Sequence, residues 1–223
     1  VWNVGDYTGN LFKFEGEEFE QSVTPEHKLI HFYNKRLQVR RAIEMFQLKP
    51  GGIKIPVTGN YCGGAVNESK NILALALALQ ADGHIPKDCD KWSFRFGRDR
   101  KINRLKEILE ALNWRYDETV DTDGYTKIRF YSVPAVFKYL NSEKLFNWAS
   151  FLQLDSNSLD FVLDEIFRWD GSPLKDFNGR KEYRTTVKHN AELIYTLMKL
   201  RGHGSTLYDK EGVWTISKNI RQF

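Results

Sequence analysis

One helix-length stretch of this sequence has no polar face. Over residues 71–81 almost every side chain belongs to Leu, Ala or Ile, and the stretch ends in Asp82-Gly83. A helix that is apolar on nearly every side has to be covered all round. A sheet packed on one side leaves the other side bare, so the chain must supply a second apolar element to pack against this helix.

A second helix with the same ending lies further along the chain. Residues 159–169 form the helical pattern, and Asp170-Gly171 follows it. Each helix precedes the same predicted order, namely an alternating strand, an amphipathic helix and two strands joined by an acidic turn with glycine. The predicted elements cover residues 91–97, 102–112, 114–120 and 125–131 after the first helix, and 182–187, 191–200, 203–208 and 213–217 after the second.

The repeat predicts an α+β fold of two pseudo-symmetric αββαββ units packed through their apolar helices. We expect the first repeat over residues 66–140, a linker over 141–158 and the second repeat over 159–223. Residues 1–65 contain short strands and turns, including a hairpin around Gly16, and predict a small β-rich N-terminal segment.

The bulk composition fits a globular protein, and its charge permits an acidic partner without requiring one. The 223 residues are 41% hydrophobic and 28% charged, and the net charge of +4 is compatible with nucleic acid. No stretch reaches the roughly 18 apolar residues of a membrane span, and no signal peptide pattern begins the chain. We therefore expect no membrane contact and a cytoplasmic location, with Cys62 and Cys89 as reduced thiols.

The pseudo-symmetry predicts that two carboxylates lie close together. If the two apolar helices pack side by side, their C-terminal ends meet, and Asp82 and Asp170 lie close together. Two adjacent carboxylates are unfavourable unless they share a cation, and oxygen ligands suit Mg²⁺. The sequence therefore predicts a divalent metal site that supports phosphodiester cleavage.

The predicted strands each have one apolar and one polar face. Trp92, Phe94 and Phe96 alternate with Lys91, Ser93 and Arg95, as expected for a period of two. Polar and basic side chains of this kind hold phosphates and read base edges when strands lie in a major groove. The candidate DNA-binding residues are Ser93, Arg95, Arg98, Arg100, Lys127, Arg129 and Tyr131 in the first repeat, and Arg184, Thr186, Lys188, Thr215 and Ser217 in the second.

Both helix endings resemble the signature of the LAGLIDADG (dodecapeptide) homing endonucleases, in the single-chain form with two motifs. Residues 75–83 read Leu-Ala-Leu-Ala-Leu-Gln-Ala-Asp-Gly, and residues 163–171 read Leu-Asp-Glu-Ile-Phe-Arg-Trp-Asp-Gly. The resemblance covers about residues 66–223. It implies cleavage of double-stranded DNA at a long recognition site, sheets that form a DNA-binding saddle, and Mg²⁺, with Mn²⁺ as a substitute, bound by Asp82 and Asp170.

The same resemblance implies basic residues beside the metal. Arg98 falls at such a position in the first repeat, and Lys218, at the end of the last strand, is a second candidate. The sequence departs from the family where the helices cross, since the family prefers small residues there and this chain has Leu77 and Glu165. We expect either a looser helix contact or a basic neighbour that pairs with Glu165.

The N-terminal segment has a resemblance of its own. Val-Thr-Pro-Glu-His-Lys-Leu at residues 23–29, followed by Ile-Lys-Ile-Pro-Val-Thr-Gly at 53–59, is similar to the splicing domain of inteins. That similarity implies that His27 assists an acyl shift. The chain starts with Val1 and ends in Asn-Ile-Arg-Gln-Phe, so we expect no self-splicing by this chain alone. We interpret the segment as a remnant, a fragment, or a module reused for DNA contact.

The sequence thus predicts a monomeric, site-specific DNA endonuclease of a mobile element, with internal pseudo-twofold symmetry. Two alternatives remain open at this point. One is a protein on the same fold that binds DNA or RNA without cutting, as a regulator or in a maturase-like role. The other is a fragment of an intein.

Overall fold

The computed structural model describes residues 8–16, 19–33, 36–48, 54–56, 59, 61–86, 90–173 and 181–218. The chain separates into two compact units, residues 1–59 and residues 60–223. Within the described residues, no helix combines the length and the hydrophobicity that crossing a bilayer requires.

The N-terminal unit is built from two hairpins and a short helix. Strand β1 (Phe12–Gly16) pairs antiparallel with β2 (Phe19–Val23), and β3 (Lys28–Tyr33) pairs with β4 (Arg36–Arg41), which leads into α1 (Ala42–Phe46). The predicted hairpin around Gly16 is confirmed. The unit's buried core consists of Val23, Leu29, Ala42 and Met45.

The predicted strand over residues 53–58 falls partly outside the described residues, because 53, 57 and 58 are not described. Lys54 bridges to Phe32 of β3 through two backbone hydrogen bonds.

The first repeat follows the predicted order of elements. Its elements are α2 (Lys70–Asp82), β5 (Lys91–Phe96), α3 (Asp99–Ala111), β6 (Tyr116–Val120) and β7 (Thr126–Tyr131). The strands form an antiparallel sheet in the order β5-β7-β6, and a bridge between His84 and Ser93 adds a rung beside β5. The turn between β6 and β7 ends in Gly124, whose φ of 81° lies in the left-handed region that glycine adopts without strain.

A connecting segment leads into the second repeat. It contains a 3-10 helix (Pro134–Lys138) and α4 (Trp148–Leu152), so the predicted linker includes regular structure. The second repeat then consists of α5 (Ser156–Trp169), β8 (Gly171–Pro173), β9 (Lys181–Thr185), α6 (Lys188–Leu200), β10 (Ser205–Lys210) and β11 (Val213–Lys218). Its antiparallel sheet has the order β10-β11-β9-β8.

The two repeats pack through α2 and α5, and a single core cluster contains buried residues from both. Ala74, Ala76 and Ala78 of α2 have no exposed surface, which lets neighbouring backbones approach closely. Because α2 is apolar on every side, it is covered by α5 as well as by elements of its own repeat. The predicted α+β fold of two repeats joined through these helices is confirmed. The second repeat has the αββαββ order, whereas the described residues of the first have the order αβαββ.

Glu165, which the sequence places at the helix crossing, is 2% exposed and ion-paired. Arg104 of α3 donates through Nε to Oε1 at 2.8 Å and through Nη2 to Oε2 at 3.0 Å. Trp169 donates its indole N–H to Oε1 at 3.2 Å. Of the two expectations for Glu165, pairing with a basic neighbour is the one observed. The pair joins α3 of the first repeat to α5 of the second.

Candidate active site

The ends of α2 and α5 bring the two motif aspartates to one place. Asp82 is the last residue of α2, and Asp170 caps α5 at its C-terminus. Lys101, in the first turn of α3, lies between them, with Nζ 2.5 Å from Oδ2 of Asp82 and 3.8 Å from Oδ1 of Asp170. Each aspartate side chain is 26% exposed and the lysine side chain 11%. The ammonium group of Lys101 therefore interacts with both half-buried carboxylates.

Close backbone approach explains the glycine that follows each aspartate. A Cβ atom on Gly83 would lie 2.6 Å from the side chain of Leu79, and one on Gly171 would lie 2.2 Å from the carbonyl oxygen of Phe167. Real Cβ contacts are not this short, so any larger residue would shift the helix end that carries the aspartate.

The electrostatics of Asp170 favour a bound cation. Burial raises the pKa of this carboxyl above its ordinary value, and the negative charge of Asp82 acts in the same direction. Lys101 and Lys144 oppose the shift. The two lysines thus only partly offset the burial of the Asp170 carboxylate, and a further positive charge beside it would be stabilising.

Lys144 reaches the site from the connecting segment. Its backbone has a φ of 62°, and Asn190 of α6 fixes the loop on both sides: Asn190 Nδ2 donates to the carbonyl of Lys144, and the N–H of Phe146 donates to Asn190 Oδ1, both at 2.9 Å. Burial lowers the pKa of the Lys144 ammonium, while the charges of Asp170 and Asp82 raise it. The second repeat thus positions a second cation near the aspartates.

Two cavities share Asp170. The first, of about 370 Å³, is lined by Asp82, Asp170, Lys101, Arg95, Arg98 and Arg100, among others. The second, of about 480 Å³, is lined by Asp170, Lys144, Arg184 and Thr186, among others. The first cavity has four cations against two carboxylates, so its lining suits a phosphate backbone. The second has two cations, Lys144 and Arg184, against two carboxylates, Asp170 and Glu143.

The two carboxylates fit a divalent ion that keeps other ligands from water or substrate. The described residues contain no group of three His, Cys, Asp or Glu side chains placed to hold a metal. Mg²⁺ commonly uses only one or two carboxylates together with water and substrate phosphates, so the pair Asp82 and Asp170 is a sufficient protein contribution.

The first sheet displays its predicted polar face. Ser93 lies opposite Arg129, and Arg95 opposite Lys127, in the antiparallel register of β5 and β7. Arg95, Arg129 and Tyr131 are exposed, and Ser93 and Lys127 are half-buried. The alternate residues of these strands lie in the core.

The start of α3 carries the two other predicted arginines of the first repeat. Arg98 is the N-cap residue, and both Arg98 and Arg100 are exposed and line the first cavity. Arg100 also donates from Nη1 to the carbonyl of Arg168 at 2.6 Å, near the end of α5. A cation at that end interacts favourably with the helix carbonyls.

The second sheet matches the prediction only in part. Arg184, Thr186 and Lys188 are exposed, and Arg184 pairs with Glu182 at 2.8 Å. Thr215 is 4% exposed and Ser217 has no exposed surface, so the expectation that both lie on an exposed face was wrong. Ser217 donates its hydroxyl to Glu182 at 3.2 Å. The polar face that the alternating pattern of β11 predicts is therefore buried at this strand.

Lys218 does not meet the aspartates. Its Nζ atom lies 3.7 Å from Asp164, more than one helical turn before Asp170, and Lys218 lines neither of the two cavities. The register of β11, which pairs Lys218 with Lys181, carries the side chain toward the earlier part of α5. The expectation that it stands beside the metal site is therefore corrected.

Sequence reasoning missed Lys101 and Lys144. Lys101 precedes Leu105 of the apolar stripe of α3 by four residues, so it borders the buried face, and that position was a readable signal. Lys144 lies in an irregular loop, and no periodicity marks it.

His27 lies in the N-terminal unit, where it is exposed and donates its backbone N–H to the carbonyl of Thr24 at 3.1 Å. This is a turn between β2 and β3. The splicing role that the intein resemblance implied stays a prediction.

This chain is similar to known proteins in sequence and in structure. No family model matches the chain. A protein of Aquifex aeolicus (strain VF5) described as ribonucleoside-diphosphate reductase subunit beta is 25% identical over 237 residues, covering 88% of this chain and 33% of that protein. The chain thus spans about one third of the length of this curated relative.

Solved structures give a likeness in fold. Full-length DUF199/WhiA from Thermatoga maritima has a TM-score of 0.50 at 16% identity, over 70% of this chain and 54% of that one. The N-terminal LAGLIDADG domain of DUF199/WhiA scores 0.47 at 16% identity (69% and 78%), and I-DmoI in complex with DNA and Mn scores 0.45 at 16% identity (68% and 91%). The likeness to full-length WhiA, together with the two repeats packed through α2 and α5, shows that this chain has the α+β fold its two motifs implied.

Proposed function

We propose that this chain is a site-specific, metal-dependent endonuclease of double-stranded DNA. The observation that carries the proposal is the pair Asp82 and Asp170, held at the ends of two packed helices on either side of one ammonium group. A purely structural helix ending needs neither the second carboxylate nor the shared cation. The basic face of the adjoining sheet supplies a surface of the right charge for DNA.

Asp82 and Asp170 would hold the divalent ion, Mg²⁺ or Mn²⁺, through their carboxylate oxygens. When bound there, such an ion supplies Lewis acidity and an activated water for phosphodiester hydrolysis. The two aspartates are half-buried, which strengthens their attraction for a dication relative to exposed carboxylates.

The basic side chains near the two aspartates would bind the phosphate group of the DNA. Lys101, whose ammonium now pairs with Asp82, would donate to a phosphate oxygen of the bound DNA. Lys144 stands on the other side of Asp170 and stabilises negative charge that develops on the phosphate. Arg98, exposed at the start of α3, would bind a neighbouring phosphate of the DNA backbone.

The polar faces of the two sheets would hold the duplex on either side of this centre. The surface comprises Ser93, Arg95, Arg98, Arg100, Lys127, Arg129, Tyr131, Arg184, Thr186 and Lys188. Thr215 and Ser217 are left out because they are buried. In this proposal the two repeats would make the surface pseudo-symmetric within one chain, and a monomer would span both half-sites.

Selection of duplexes from a randomised DNA pool tests the proposal. Bound duplexes are recovered without metal, then treated with Mg²⁺, and any new ends are sequenced. We expect a long preferred site with cuts near its centre. Asp82→Asn and Asp170→Asn should each abolish cleavage and keep binding, and unchanged cleavage by either variant contradicts the assignment.

A second candidate is a protein that binds a DNA site without cutting it. The contact that favours it is the same ion pair, since an ammonium group paired with Asp82 occupies a carboxylate oxygen that a metal would need. A preferred site that is bound but stays intact in both Mg²⁺ and Mn²⁺ would select this candidate over the endonuclease.

A further inference from the structure

Arg95, on the polar face of the first sheet, is held by two carboxylates. Its Nε donates to Oδ2 of Asp121 at 2.9 Å, and its Nη2 donates to Oδ2 of Asp123. Both acids belong to the turn between β6 and β7, the same turn that Gly124 closes. The turn therefore grips one edge of the guanidinium with two carboxylates.

An aromatic ring holds the same group from its face. The guanidinium carbon of Arg95 lies 4.2 Å from the ring centre of Tyr125. A Cβ atom on Gly97 would lie only 3.0 Å from Cε1 of that ring, so the glycine lets the ring sit close to the strand. Stacking and two ion pairs leave Arg95 little freedom to turn.

The donor geometry at the remaining edge of the guanidinium suits a particular kind of ligand. Arginine has five N–H donors in one plane, and the acids use the edge formed by Nε and Nη2. The other edge, formed by Nη1 and the second hydrogen of Nη2, presents two parallel donors. Two parallel donors match O6 and N7 of guanine in the major groove.

The local charge argues against a phosphate as the ligand. Asp121 and Asp123 together more than cancel the charge of Arg95, so this cluster does not attract a phosphate as an isolated arginine does. A neutral base edge is recognised by hydrogen-bond geometry, which the clamp improves. Arg129, two residues from Lys127 on the same face, is the better phosphate ligand.

Arg95 also lies near the candidate active site. Arg95 lies on the polar face of β5 and lines the first cavity together with Asp82 and Asp170. We propose that Arg95 reads a guanine in the major groove close to the cleavage position, and that Asp121, Asp123 and Tyr125 are its positioning residues. This inference rests on the proposed binding of DNA.

The test compares base preferences in the full chain and in variants. The duplex selected by the native protein is titrated without metal, then again with each guanine in turn replaced by 7-deazaguanine, which lacks the N7 acceptor. At one central position the native protein should lose about 2- to 12-fold in affinity, the range for one of the two hydrogen bonds, because 7-deazaguanine keeps the O6 acceptor. Arg95→Gln should show no loss at that position.

Two further variants separate reading from charge. Asp123→Asn should reduce the 7-deazaguanine effect several-fold while overall binding stays or tightens, because it loosens the clamp and removes a negative charge. Arg129→Gln, the control on the same face, should weaken binding to all duplexes alike and keep the 7-deazaguanine effect. Circular dichroism checks that each variant is folded.

The outcomes distinguish this inference from the proposed function. If the native protein selects no duplex, both fall. If it selects a duplex but Arg95→Gln keeps every base preference and every 7-deazaguanine effect, DNA binding stands and the assignment of Arg95 is overturned. If the duplex is bound and never cut, the assignment is judged by the same titrations, since it concerns reading and not cleavage.

Discussion

The ammonium of Lys101 lies 2.5 Å from a carboxylate oxygen of Asp82, in the place where a shared cation between the two motif aspartates is expected. The same atom lies 3.8 Å from Asp170. The protein therefore carries its own counter-ion in the candidate active site, and a divalent ion has to compete with it.

That competition predicts the effect of Lys101→Met on metal binding. Removing the ammonium leaves the two half-buried carboxylates with Lys144 as the remaining nearby lysine, so Mn²⁺ should bind about tenfold more tightly in the absence of DNA, or about 1.4 kcal/mol. Isothermal titration calorimetry measures this. Lys106→Met is the matched control, because Lys106 lies on the same helix and pairs with Glu118 at 2.6 Å. Equal affinities for the two variants would contradict the prediction.

The buried pair of Arg104 and Glu165 predicts a non-additive stability change. Arg104→Met leaves Glu165, which is 2% exposed, with only the longer 3.4 Å ion pair to the exposed Arg168, which should lower the free energy of unfolding by up to about 3–5 kcal/mol. The double variant Arg104→Met with Glu165→Leu should recover most of that loss, because no uncompensated charge remains. Urea unfolding of the native protein, both single variants and the double variant gives the coupling. Additive losses would show that the pair is not coupled.

The close approach at Gly171 predicts that Gly171→Ala disturbs both stability and the site. Its Cβ would lie 2.2 Å from the carbonyl oxygen of Phe167, so overpacking should lower the free energy of unfolding by about 1–3 kcal/mol. The shift of the helix end should also weaken Mn²⁺ binding. Gly124→Ala is the comparison, since its Cβ meets nothing within 4 Å and only its φ of 81° is strained. If Gly171→Ala leaves Mn²⁺ affinity at the native value, Asp170 has not moved.

The loop that carries Lys144 predicts a local effect of Asn190→Ala. The variant strips the N–H of Phe146 of its acceptor in a buried place, with a stability loss of about 1–3 kcal/mol. Hydrogen exchange at Phe146 should accelerate well beyond the global change. Asn103→Ala, at an exposed position of α3, should alter neither. Exchange at Phe146 that only follows global unfolding would mean that Asn190 does not hold the loop.

The pair of Asp160 and Arg201 predicts a pH-dependent contribution to stability. The hydrogen bond from Arg201, at 2.8 Å, lowers the pKa of the Asp160 carboxyl below its ordinary value, with burial acting against it. A lowered folded-state pKa stabilises the protein above the unfolded-state pKa of about 3.9, and the effect is lost as the pH falls through the folded value. The stability difference between native protein and Asp160→Asn should therefore be constant above about pH 5 and shrink toward pH 3. Urea titrations at several pH values measure it, and a difference that stays the same at pH 3 would refute the linkage.

Local sequence periodicity determined the repeating architecture. The apolar stretch before Asp82, the weaker copy before Asp170 and the period of two in β5 and β7 each depend on a few consecutive residues. Such signals survive in the fold because a helix without a polar face has few ways to be buried. From them followed the paired helices, the meeting of the two aspartates, and the polar face of the first sheet.

Only the tertiary structure decided which side chains share the site. Lys101 reaches Asp82 because of how α3 is rotated against the helix pair, and Lys144 reaches Asp170 because Asn190 fixes an irregular loop. The burial of Ser217 likewise depends on what covers a strand whose own pattern reads as half-exposed. These contacts join residues far apart in the chain, and their free energy depends on packing between elements, which no local pattern of residues records.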